Sequence, residues 1–226
     1  MEKLSVSSAR DVLYEQLARI GKVVVHPKRI ELLELLCQGE RSVEAVAVAV
    51  GLPLTTASTH LQLLRQARLV ETRRQGTRVY YRAAGEEVSR FVKALGDLGR
   101  DRFVEIQQVL ASNGMDDKEF EPVTRTELLS RVMGSDVVVL DVRPVEEYVA
   151  GHIPGALSVP LTKLKAYLDE LNPTTEIVAY CRGPYCLLAP EAVSFLRRSG
   201  FKARRLEDGM PEWRQASLPV AVGAET

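Results

Sequence analysis

Long apolar runs are missing from this sequence. The longest, such as Val43–Leu54, are interrupted by charge, Gly or Pro and are too short to cross a bilayer. Cysteine is scarce as well. Three in 226 residues (Cys37, Cys181 and Cys186) do not make a disulfide framework, so each is read for reactivity or burial. The opening Met1-Glu2-Lys3-Leu4-Ser5 lacks the basic-then-apolar order of a secretory signal. A cytoplasmic protein without a membrane partner is expected. No internal repeat or low-complexity stretch is visible. Net charge is absent too, with 30 Lys+Arg against 30 Asp+Glu. What remains is 46% hydrophobic and 27% charged, a globular balance that excludes disorder.

The zero net charge hides an asymmetry. Residues 1–112 carry 17 basic and 13 acidic side chains, and residues 113–226 carry 13 and 17. A basic half followed by an acidic half suggests two domains with different partners.

The first half reads as helical. Val12, Leu13, Leu17 and Ile20 share a face of Ala9–Ile20. Pro27 can open a second helix that ends near Gly39. Ser42 can cap a short apolar helix over Val43–Val50. Gly51-Leu52-Pro53 breaks it, and a helix over Thr55–Ala67 follows, with Leu61 and Leu64 inward. The period then changes. Leu69–Arg74 and Thr77–Ala83 alternate around Gln75-Gly76, a hairpin signal. One long helix is expected over Glu86–Leu110. The polar segment 112–121 reads as a linker.

Two short helices around a Gly-Leu-Pro turn fit a helix-turn-helix. The second would present Thr55, Thr56, Ser58, Thr59, His60 and Gln62 to a major groove. Arg65 flanks this face, and a hairpin tipped with Arg73, Arg74 and Arg78 would track phosphates or enter the minor groove. The plainer alternative is a helical bundle with a solvated polar face. The order of helix, turn, polar helix and arginine-rich hairpin is the more specific pattern.

Glu40–Ala47, Thr56–Arg65, Leu69-Val70 and Arg73–Tyr81 resemble the arsenic-repressor (ArsR-type) family of winged-helix regulators. The likeness spans roughly residues 8–110. It implies a homodimer joined by the first and last helices of this half, reading an inverted repeat in double-stranded DNA. The metal sensors of that family carry a Cys-x-Cys pair on the recognition segment, which this sequence lacks. Glu86–Leu110 has no His or Cys, so no metal is expected. Cys37 reads as a small buried hydrophobe.

After residue 122 strands alternate with helices. Thr124 and Glu127 form a capping-box pair. Val137–Asp141, Ile177–Tyr180 and Lys202–Leu206 read as strands, and Val145–Ala150, Leu161–Leu171 and Leu187–Arg198 as helices. The expected fold is therefore a mainly α winged helix-turn-helix domain (1–111), then an α/β domain with a mostly parallel sheet (122–226). Cys181 falls at a strand end, followed by Arg182-Gly183-Pro184-Tyr185-Cys186. Loop amides, the next helix and Arg182 would there favour a thiolate. The plainer alternative is a buried core cysteine.

Asp141-Val142-Arg143, Glu146-Glu147-Tyr148, Gly151–Ala156, Pro160-Leu161 and Asp208–Trp213 resemble the rhodanese (sulfurtransferase) family over roughly 122–218. The resemblance implies that Cys181 accepts a sulfane sulfur as a persulfide. Asp141 and Arg143 would fix the sheet edge near the site through an ion pair, a catalytic role being the alternative, and His152 would be structural. Many active rhodaneses have an Arg five residues after the Cys. Here that position is Cys186, so a cation for thiosulfate is missing. Leu187 departs from the Arg of phosphatase relatives. Cys186 either resolves the persulfide or packs at the helix start.

The combined expectation is a DNA-binding regulator tuned by sulfane-sulfur or redox chemistry at Cys181. It needs no cofactor, and its small partner would be a sulfane-sulfur donor or small sulfur anion. The alternatives are a sulfurtransferase whose winged helix serves dimerisation or autoregulation, an oxidant switch, and an inert α/β half.

Overall fold

The computed structural model describes residues 6–113, 122–132 and 137–223. Packing divides the chain into two units, Met1–Val92 and Lys93–Thr226. The division falls inside a helix. Most of the expected linker, residues 114–121, lies outside the described residues. Among the described residues no single helix is long and apolar enough to cross a membrane.

The first unit opens with α1 (Val6–Val24) and α2 (Pro27–Gln38). Pro27 starts α2 because its missing N–H would be unpaired there anyway. His26 caps it, its Nδ1 accepting from Lys28 N at 3.1 Å. β1 (Arg41–Ser42) leads into α3 (Val43–Ala49), and Ser42 Oγ accepts from Ala45 N at 3.2 Å, the expected cap. α4 (Leu54–Gln66) follows at 109° to α3, across the left-handed Gly51. Ala57, Leu61 and Leu64 recur on one face of α4 and are fully buried, the two leucines in a cluster with Leu32, Leu36 and Val46. That stripe fixes which face of α4 turns outward. Losing one such leucine to alanine costs about 2–5 kcal/mol.

β2 (Val70–Gln75) and β3 (Arg78–Ala83) form an antiparallel hairpin, and β1 adds to β3, giving the order β1-β3-β2. The two-residue turn places Gly76 at φ 60°. The strand β1 was not foreseen in the sequence.

α5 (Glu86–Arg102) begins in the first unit and ends in the second. The single helix expected over Glu86–Leu110 is instead two, because Phe103 is extended at φ −115°, ψ 112°, and α6 (Val104–Ser112) starts after it. Gly99 permits the break. A Cβ there would stand 3.0 Å from Ile106 Cδ1, so the turn packs on bare backbone.

The rest of the second unit is an α/β layer structure. α7 (Arg125–Val132), β4 (Val137–Asp141), α8 (Val145–Ala150), β5 (Leu157–Ser158), α9 (Leu164–Tyr167), β6 (Glu176–Tyr180), α10 (Leu188–Arg198), β7 (Ala203–Arg205) and α11 (Met210–Gln215) follow in turn. The sheet order is β5-β4-β6-β7 and every pairing is parallel. β5 was not foreseen, and the helix expected over Leu161–Leu171 is only α9 between two 3₁₀ turns.

β6 is buried on both faces, as a parallel strand requires. Ile177 and Ala179 join the cluster around Ala192 and Leu196 of α10. Val178 and Tyr180 point the other way, toward Met210 and Trp213 of α11. The alternation of a strand carries Cys181 onto the α10 side.

Candidate functional site

In the first unit a groove of about 710 Å³ lies between α4 and the hairpin. Ser58, Gln62 and Arg65 line it from α4, and Thr72 and Arg74 from β2. Thr55, Thr59 and Gln62 are exposed, and Thr56 and Ser58 partly so. Thr59 donates its hydroxyl back to Thr55 O at 3.0 Å, which leaves its oxygen as an acceptor. Arg65, Arg74 and Arg78 are exposed, and none makes a salt bridge among the described residues.

Two residues of the expected interface point elsewhere. Arg73 is turned onto Glu40, its Nε 3.1 Å from both carboxylate oxygens, and its guanidinium lies 4.9 Å from the Tyr80 ring centre. The bonds from Arg73 hold the Glu40 carboxyl below its ordinary range. His60 packs on His26, ring centres 4.6 Å apart, with its Nδ1 buried. Burial first, then His26 and Arg29, lowers its proton affinity, so His60 is a neutral packing group. Sequence spacing could not find Glu40, which is 33 residues from Arg73.

In the second unit the thiols meet at the carboxyl end of β6. Cys181 is 4% exposed and Cys186 7%. Cys181 Sγ lies 3.4 Å from Cys186 O and 3.9 Å from Gly183 O. The turn closes by Cys186 N donating to Gly183 O at 3.1 Å. Burial raises the Cys181 thiol well above its ordinary value, and the charge and hydrogen bond of Cys186 add to this. The Cys186 thiol is lowered instead, because Cys181 donates to it and the amides of Leu188 and Arg182 assist. The two thiols therefore shift in opposite senses, Cys181 up and Cys186 down, and titrate as a pair. The sequence had placed the lowered thiol at Cys181.

The cation beside the loop is already engaged. Arg182 Nη2 lies 2.8 Å from Glu147 Oε1, and its Nε 3.1 Å from both oxygens. Glu147 is buried on α8. Pro184 and Gly183 are half-buried in the loop between these pins. On the far side Tyr185 OH donates to Asp97 Oδ1 of α5 at 2.6 Å. Glu147 entered the sequence reading only within the Glu146-Glu147-Tyr148 segment, with no role of its own, and Asp97 was not singled out. A signal existed for α5, since glycines 96 and 99 inside a helix mark close approach by something else.

Asp141 and Arg143 are wholly buried and paired, with Arg143 Nε 2.9 Å from Asp141 Oδ1. Tyr180 OH donates to Asp141 Oδ2 at 2.6 Å and accepts from Ile153 N at 3.1 Å. Burial opposes the Arg143 cation, but its bonds to Asp141 prevail and the guanidinium is held still more firmly protonated. The pair ties β4 to β6, the two inner strands, one residue before Cys181. It supports the sheet centre rather than its edge. His152 is buried, stacked on Tyr148 at 3.6 Å, with Nδ1 2.9 Å from Tyr148 O, which fits a structural role.

Among the described residues no cluster of three or more His, Cys, Asp or Glu could hold a metal ion.

Comparison with known proteins matches each half separately and then the chain as a whole. The family model "Bacterial regulatory protein, arsR family" matches residues 26–72, and "Rhodanese-like domain" matches residues 124–216. The HTH-type transcriptional regulator Rv0324 of Mycobacterium tuberculosis is 49% identical over 218 residues, covering 96% of both chains. A putative sulfur carrier protein of Bacillus subtilis, YrkF, is 34% identical over 33% of this chain and 40% of its own. The solution structure of a homodimeric winged helix-turn-helix DNA-binding domain, fragment 1–100 of Mb0332 from Mycobacterium bovis, is 46% identical. It covers 46% of this chain and 94% of its own, with a TM-score of 0.41.

Proposed function

This chain belongs to the ArsR-family winged-helix proteins that carry a C-terminal rhodanese-like domain, and from that premise we propose that it is a cytoplasmic, homodimeric transcription regulator whose DNA affinity responds to sulfane sulfur at Cys181. Arg65, Arg74 and Arg78 hold the duplex by its phosphates, and Thr55, Thr56, Ser58, Thr59 and Gln62 read base edges. The relatives' printed names support the two halves of this reading: a transcriptional regulator alike over 96% of the chain and a putative sulfur carrier alike over 33% of it.

The observation that carries the sulfur half is the pair of buried cysteines at the end of β6, with Cys181 Sγ 3.4 Å from the carbonyl oxygen of Cys186. Cys186 as thiolate takes the proton of Cys181, whose sulfur then attacks a terminal sulfane sulfur of a polysulfide. The S–S bond of the donor breaks, and a hydrosulfide or shorter polysulfide leaves. Cys181 becomes a persulfide. Cys186, deprotonated again, can attack Cys181 Sγ and expel hydrosulfide, which reduces the outer sulfur and leaves a disulfide. Either product reshapes the loop between the two cysteines. DNA affinity changes only as far as that shape is bound differently in two arrangements of the dimer.

The test combines intact mass with an operator gel shift before and after polysulfide. Cys181→Ser should lose both the added sulfur and the shift in affinity. Cys186→Ser should still form the persulfide, more slowly without the thiolate that takes the Cys181 proton, and should lose the disulfide. A response in Cys181→Ser equal to the parent's would refute the reading. The sulfurtransferase alternative is disfavoured by the charge balance of the loop. Arg182 is paired with Glu147 and position 186 is Cys, so among the described residues of the loop 181–187 no cation is left for thiosulfate.

A further inference from the structure

We infer that Tyr185 and Asp97 form a latch that closes the loop over Cys181, so that access to the thiol is controlled from α5. The inference rests on the reading of Cys181 as the reactive thiol and adds how that thiol is reached. Cys181 is buried and its thiol is raised by that burial, so a donor anion cannot meet it with the loop as it stands. The loop has to swing. One end is fixed by Arg182 on the buried Glu147, three contacts deep, and Gly209 lies directly beneath Arg182 and Gly183. The movable end is therefore the one carrying Tyr185, next to Cys186.

Three observations place that end on α5. Tyr185 OH donates to Asp97 Oδ1 at 2.6 Å, a charge-assisted bond. Arg100 lies 5.6 Å from the centre of the Tyr185 ring, within cation–π range. The ring also rests on the bare backbone of Gly96, where a Cβ would stand 2.3 Å from Tyr185 Cε2. Asp97 is itself held as a carboxylate. Burial opposes this, but Lys93 Nζ at 2.7 Å and the Tyr185 hydroxyl lower its pKa overall. Burial and Asp97 keep the Tyr185 hydroxyl protonated far above neutrality, so the bond persists across the physiological range. Tyr185 and Asp97 are positioning residues. They touch no substrate, and they set how often the thiol pair is open. Whatever moves the C-terminal turns of α5 then changes the reactivity of Cys181, and whatever enlarges the loop at Cys181 or Cys186 pulls on α5.

The test is site-resolved alkylation of the full-length chain by iodoacetamide at one near-neutral pH, with amide hydrogen exchange of β4 and β6 measured alongside. Tyr185→Phe and Asp97→Asn remove the hydrogen bond. Gly96→Ala leaves both partners but fills the seat of the ring, and alanine favours the helix over glycine. Each variant should raise the alkylation rate of Cys181 and Cys186 by about tenfold, the scale of one charged hydrogen bond, with β4 and β6 exchange as in the parent. Parent-like rates in all three variants overturn the latch. So does a rise accompanied by faster exchange in β4 and β6, which marks loosening of the whole sheet. Polysulfide is then applied to Tyr185→Phe. If an opened Cys181 gains no sulfur, the sulfur chemistry fails while the latch stands.

Discussion

The guanidinium of Arg182 lies against the buried carboxylate of Glu147, 2.8 Å away, with the thiol pair on the same loop. The cation adjacent in sequence to Cys181 is thus spent on holding the loop. Its charge still reaches Cys186, but as a minor cause behind hydrogen bonds. The two thiols, more than a Cys–Arg pair, form the unit whose members set each other's proton affinity.

The pH dependence of alkylation should reveal that unit. Cys186 is lowered chiefly because Cys181 donates to it. Cys181→Ala removes the donor, so the pH midpoint for alkylating Cys186 should move up. Cys186→Ala removes the like charge facing Cys181 and should move the midpoint of Cys181 down from its raised value. Midpoints that shift in the opposite sense would assign the shared charge to Cys181.

On the DNA side, Arg74→Ala should weaken binding to every sequence and reduce the salt slope by about one. Arg73→Ala should do less, because Glu40 already neutralises that side chain. Its effect should come through the lean of the hairpin. Fluorescence anisotropy against salt concentration separates the two, and equal losses of slope would mean that Arg73 leaves Glu40 when DNA binds.

Cutting the buried pair should be costly. Asp141→Ala strands the Arg143 cation at zero exposure and removes the acceptor for Tyr180. Breaking one side of such a pair costs about 3–5 kcal/mol. Urea unfolding of the full chain, followed by the fluorescence of Trp213, should show that loss. A change below about 1 kcal/mol would mean the site refills with water or collapses.

Glu212 has the opposite sign. Burial raises its carboxyl above the ordinary value. The folded state then binds that proton more tightly than the unfolded chain, so the group's contribution is best in acid and worsens as pH rises through its raised value. Glu212→Gln should therefore raise the melting temperature at neutral pH, with the gain fading below the ordinary carboxylate range. The Gln carbonyl can still accept from Gly209 N, as Glu212 Oε2 does at 3.0 Å. A gain that persists unchanged in acid would point to packing instead of charge.

The readable parts of the fold were those with local causes. Ala57, Leu61 and Leu64 recur at helical spacing, Gly76 sits in a two-residue turn, and Ser42 caps three residues on. Each signal lies within a few residues of what it determines. Cys181 at a strand end was legible for the same reason. The interruption at Phe103 was not, since the apolar spacing runs through it and only the packing of Ile106 on Gly99 reveals the bend. The partners of Arg73, Arg182 and Tyr185 lie 33, 35 and 88 residues away. Two of these were arginines assigned to anions, on charge alone. Tertiary pairing had already used both charges, and no pattern of spacing encodes that.

The bare backbone of Gly209 has a consequence for protein engineering. A Cβ at that position would stand 2.3 Å from the backbone of Arg182 and Gly183. The contour of the thiol loop is therefore moulded by a residue well downstream, which carries no reactive chemistry of its own. A graft of residues 181–187 onto another α/β scaffold would import the sulfur atoms without their mould. To keep the loop's shape, the recipient would need a glycine at the matching point beneath it, together with the turn that leads into α11.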